Sequence, residues 1–115
     1  MISSDEAKRI ASGWVSEYSV DPGVASIERQ RSYFFVLDKL IYNHPSDALV
    51  IFESVADLDL SAWASEGLAA GPIREFLLIY GEKFAAELDA IGRRKPSFSE
   101  LRSLAVEGLH PSHRP

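Results

Sequence analysis

Bulky apolar residues recur along this chain at steps of three and four, and that spacing restricts the fold more than any other feature of the sequence. Ala7, Ile10, Ala11, Trp14, Val15 and Tyr18 fall on one face of an α-helix, because a helical turn holds 3.6 residues. The rhythm returns in Ile27, Phe34, Leu37, Leu40 and Ile41, in Leu49, Phe52, Val55 and Ala56, and in Ile73, Phe76, Leu77 and Tyr80. It closes with Phe84, Leu88 and Ile91 and then Leu101, Leu104 and Ala105. No segment alternates with period two, so half-buried strands are not expected. Tyr33-Phe34-Phe35-Val36-Leu37 is apolar all round and, read alone, also suits a buried strand. Its pattern continues to Tyr42 without a turn signal, which favours a central helix touched on several sides.

Punctuation between these seams sets the boundaries. Ser3 and Glu6 stand at capping-box spacing before the first helix, and Asp21-Pro22-Gly23 stops it. The second helix is expected over residues 25–43. Asn43-His44-Pro45 ends that helix, and Ser46 is predicted to cap a third through Ala56. Ser61 is predicted to cap a short fourth helix containing Trp63 and Leu68; Gly71-Pro72 then ends it and opens a fifth, with proline at the first helical position. Gly81 marks a kink or short break, and Ser97 with Glu100 forms a second capping box before the last helix. Short helices joined by two- to four-residue breaks pack as antiparallel neighbours. The expected fold is all-α, a compact antiparallel bundle of about six helices, with a short HEAT-like stack of helical hairpins as the variant. Residues 1–109 are read as a single domain and residues 110–115 as a polar tail.

The absence of cysteine excludes disulfides, thiolate metal sites and thiol nucleophiles. No apolar stretch approaches the roughly 18 residues that cross a bilayer, and Asp5 and Glu6 occupy a start where a secretory leader carries bases. A cytoplasmic location with no membrane association is the resulting expectation. Nor is a cofactor or metal expected. His110 and His113 form a facial triad with Glu107 on paper, but Pro111 interrupts them, so a polar tail is the simpler reading. His44 precedes Pro45 at a helix end, where a structural ring is common. Asp57-Leu58-Asp59 lacks the central glycine and terminal glutamate of a calcium loop. The serines sit at helix starts rather than in a G-x-S-x-G elbow, and Gly67 to Gly71 lacks the Lys-Ser/Thr of a phosphate loop.

Leu68-Ala69-Ala70-Gly71-Pro72-Ile73, Tyr80-Gly81-Glu82 and Pro96-Ser97-Phe98 together resemble an uncharacterised family of small bacterial helical proteins. That family's pattern is an L-A-A-G-P-hydrophobic helix start, an H-G-E break and a D-P-x-F segment. The likeness covers about the last third of the chain, with a weaker echo at Asn43-His44-Pro45. This chain departs from the pattern with Arg74 where an acid is common, Tyr80 in place of histidine and Lys95 in place of aspartate. The resemblance implies a bacterial origin and a helical fold, and it carries no activity and no site residue.

Charge distribution is more informative than the net charge of −5. Between Asp47 and Glu66 the chain holds five acids, Asp47, Glu53, Asp57, Asp59 and Glu66, and no lysine or arginine. Such a run is either a solvated face or a surface for a basic protein partner, on which carboxylates speed encounter. The first functional expectation is therefore a non-enzymatic protein–protein interaction module, such as an immunity or adaptor protein, using those five acids. A small enzyme or ligand-binding protein with a cleft near His44, Tyr80 and Glu82 is the first alternative. The second is nucleic-acid binding through Arg93, Arg94, Lys95 and Arg102, which the acidic balance disfavours. Trp14 and Trp63 are expected in the core, with an interface anchor as the other use of a tryptophan.

Overall fold

A computed structural model describes residues 2–18 and 32–107. Six helices account for most of them: α1 (Ser4–Tyr18), α2 (Ser32–Asn43), α3 (Pro45–Ala56), α4 (residues 62–80), α5 (Ala85–Arg94) and α6 (Pro96–Glu107). No strand occurs among the described residues, and the fold is an all-α bundle. The expected second-helix start, Ile27, the Asp21-Pro22-Gly23 stop and the tail with His110 and His113 lie outside the described residues.

Most of the described seam residues read from spacing are buried or partly buried, Leu104 being exposed. Ala7, Ile10, Ala11 and Trp14 of α1 meet α3 and α2, and Leu37 and Ile41 of α2 close onto the same core. Ser3 caps α1 by accepting the Glu6 N–H at 3.1 Å. The Glu6 carboxylate does not complete the reciprocal half of the box; it pairs with Arg9 at 2.7 Å.

α2 is touched by α1, α3 and α4, as the apolar run suggested, but α3 is the more deeply buried of the two. α3 packs against α1, α2 and α6 and buries Ala48, Leu49, Ile51, Phe52, Val55 and Ala56, a wider stripe than the Ala7, Ile10, Ala11 and Trp14 seam of α1. Phe35 and Val36 in α2 are instead 56% and 39% exposed. Trp63 is another correction: it is half exposed because Ala64 and Leu68 supply the inward face of its helix.

Both Pro45 and Pro96 occupy the first helical position, so neither Ser46 nor Ser97 is a cap. A proline at that position loses no hydrogen bond and already has helical φ. Ser97 acts across the bundle, its hydroxyl donating to the Ala56 carbonyl at 2.7 Å. That carbonyl lies at the end of α3, where helical partners run out.

At Gly71-Pro72 the outcome is the reverse. The chain does not stop there; Ala62–Leu68 and Arg74–Tyr80 form one continuous helix through a π-turn at Ala69–Ile73, with the Arg74 N–H donating to the Ala69 carbonyl five residues back. Proline lacks an N–H and its ring clashes with the carbonyl four residues earlier in a regular helix; the wider π-turn accommodates both. The turn also repairs a phase error. Leu68 and Ile73 are five residues apart, and one extra residue in an α-helix rotates the downstream side chains by about 100°. Absorbing that residue keeps Leu68, Ile73 and Phe76, all buried, on one face. The break expected at Gly81 is present, as a turn over residues 81–84 before α5.

Candidate functional site

Residues distant in sequence neutralise two of the five acids in the acid-only stretch and engage a third. Glu53 on α3 and Asp57, which follows its last residue, stand opposite consecutive bases at the C-terminal end of α5. The Arg94 guanidinium grips Glu53 with Nε and Nη2 at 2.9 and 2.8 Å, and Lys95 Nζ lies 2.6 Å from Asp57. This two-pronged contact holds the Glu53 carboxyl below the usual carboxylate range, chiefly through the Arg94 hydrogen bonds and secondarily through its charge. Asp47 is also engaged, accepting the Ile2 N–H at 3.0 Å and so tying the start of the described chain to α3. Asp59 and Glu66 are exposed and make no ion pair among the described residues.

The same contacts consume the basic run. Arg94 and Lys95 are taken by α3, and Arg102 reaches Asp89 of α5 at 2.6 Å. Arg93 alone of the four bases makes no ion pair among the described residues.

Asp59 borders a groove of about 350 Å³ between the segment joining α3 to α4 and the outer face of α6. Its floor is apolar, formed by Leu58, Leu60, Leu101 and Leu104; its acids are Asp59 and Glu100, and no lysine or arginine lines it. Leu104 is 38% exposed, so the floor is open to solvent. Glu66 follows Ser65 of the groove wall on α4. Sequence spacing assigned Leu101 and Leu104 to a buried seam, which Leu101 keeps and the exposed Leu104 does not, and Glu100 to a cap, so this half of the groove was missed. The available signal was Pro96, which opens α6 and leaves Glu100 at its exposed surface.

A second groove of about 390 Å³ lies between α3 and α5, floored by Leu49, Val50, Phe84 and Ile91, with the Glu53–Arg94 pair at its edge. His44, Tyr80 and Glu82 line neither of these two grooves. The Tyr80 hydroxyl instead donates to the Tyr42 carbonyl at 3.3 Å, and the Tyr42 hydroxyl donates to Glu75. That carboxylate holds the Tyr42 phenol above its usual range, mainly because the hydrogen bond favours the protonated ring. Together they pin α2 to the second half of α4.

Among the described residues no group of three or more His, Asp or Glu is placed to hold a metal ion, and no helix is long and apolar enough to cross a membrane. Compared with family models, curated proteins and solved structures, the chain finds no match.

Proposed function

We propose that this chain is a non-enzymatic interaction module, of the kind an immunity or adaptor protein provides, that engages a basic protein partner through its α3–α4 corner. One observation carries the reading. Of the five acids in the stretch from Asp47 to Glu66, three are engaged by groups of this chain; of the two that remain, Asp59 lines the base-free groove that also holds Glu100, and Glu66 follows Ser65 of its wall. Uncompensated carboxylates over low-dielectric apolar walls attract cations more strongly than a mixed surface does. Glu53, Asp57 and Asp47 then serve to fix the helices that carry this corner.

Affinity capture from the source cell tests the assignment. A protein with a basic surface is expected to be retained at low salt by the native chain and lost by the Asp59→Lys/Glu66→Lys/Glu100→Lys variant. Equal recovery by that variant, with its fold intact by circular dichroism, removes the corner from the account.

A further inference from the structure

We infer that the groove between the α3–α4 segment and α6 receives a short partner segment carrying a bulky aliphatic side chain flanked by lysine or arginine. The inference rests on the reading of the chain as a partner for basic proteins and names what enters the site.

Charge complementarity and the wall chemistry together select this occupant. Four leucines, Leu58, Leu60, Leu101 and Leu104, line a space of about 350 Å³, within the roughly 300–1,000 Å³ of concave binding sites. An apolar anchor is therefore needed to displace water from the floor. Asp59 and Glu100 line the same space, and the adjacent lysine, Lys95, is already held by Asp57 at 2.6 Å. An acidic segment would meet only like charge, and an uncharged one would leave both carboxylates without a counter-ion. The wall is also set before binding. The Ser97 hydroxyl fixes α6 to the end of α3 through the Ala56 carbonyl, and Ser61 caps α4 by accepting the Ala64 N–H at 3.1 Å. Little ordering of the walls then opposes association.

The test uses the full chain and three fluorescein-labelled synthetic peptides of equal length. The first combines leucines with lysines, the second replaces its leucines with serine, and the third replaces its lysines with glutamate. Fluorescence anisotropy is expected to show binding of the first alone, with amide shifts in two-dimensional NMR centred on Leu58, Leu60, Leu101 and Leu104. Leu104→Asp, at a partly exposed position, is expected to weaken the first peptide about tenfold, the cost of losing one apolar anchor contact. Asp59→Lys/Glu100→Lys is expected to weaken it by a similar factor and to abolish its salt dependence. If the serine peptide binds as well as the first, and Leu104→Asp changes nothing, the groove is overturned while the acidic corner stands. If the first peptide does not bind, or shifts amides elsewhere, the inference falls; unchanged capture by the triple-lysine variant is what brings down the wider reading.

Discussion

Gly13 and Gly71 show how the same residue type serves opposite ends in two helices. A Cβ on Gly13 would lie 2.5 Å from the Tyr33 ring, so glycine is what lets α2 lie close against α1. A Cβ on Gly71 would meet nothing within 4 Å, and no described glycine has positive φ. Alanine at 13 forces the ring aside, at the roughly 1–3 kcal/mol typical of overpacking, against about 1 kcal/mol of helix propensity gained. At 71 the propensity gain is opposed by Pro72, whose ring disfavours a helical residue with a Cβ immediately before it. Urea unfolding is expected to show Gly13→Ala destabilised by about 1 kcal/mol and Gly71→Ala nearly unchanged, within about 1 kcal/mol. Glu53 gives a pH prediction at the same scale. Its carboxyl is held below the ordinary range by Arg94, so the folded state binds a proton less readily than the unfolded chain. The stabilisation is complete above the ordinary glutamate value of about 4.3 and disappears as pH falls through the lower folded value. Thermal melts of the native chain and Glu53→Gln are therefore expected to differ by a constant amount between about pH 6 and 8 and to converge toward pH 3.

At the scale of single elements, the sequence was legible wherever one helix's own spacing decided the outcome. The inward faces of α1 and α3, the Ser3 and Ser61 caps and the break at Gly81 all come from local pattern, because helical period and capping are short-range effects. The prolines were harder, since one residue type has two compatible outcomes. Pro45 and Pro96 come after single-residue joints, His44 and Lys95, and open new helices, whereas Pro72 sits within a run whose buried positions on both sides need the same face. The five-residue step from Leu68 to Ile73 was the sequence signal for a π-turn. Its deletion test is specific. Removing Gly71 together with Pro72→Ala leaves Leu68, Ile73 and Phe76 in phase in a regular helix, and calorimetry is expected to find a cooperative transition weakened by no more than about 1–3 kcal/mol. Removing Val50 from α3 rotates Ile51, Phe52 and Val55 by about 100° and is expected to abolish that transition.

For the molecule as a whole, the helical class is determined by the sequence alone, as are the inward-facing positions of its longest seams, because both depend on which side of a helix is apolar. Which helix lies at the centre is not. The run at residues 33–37 is more uniformly apolar than α3, yet α3 is the more deeply buried, because α1, α2 and α6 cover its apolar face while Phe35 and Val36 of α2 stay exposed. Charge shows the same division most clearly. Along the chain the acids from Asp47 to Glu66 and the bases from Arg93 to Lys95 are separate blocks; in space Arg94 meets Glu53 across 41 residues and Lys95 meets Asp57. Periodicity is a property of neighbours a turn apart and is written in the sequence. Neutralisation belongs to surfaces that meet only when helices dock, so only the tertiary structure decided that Asp59, Glu66 and Glu100 remain available while Glu53 and Asp57 do not.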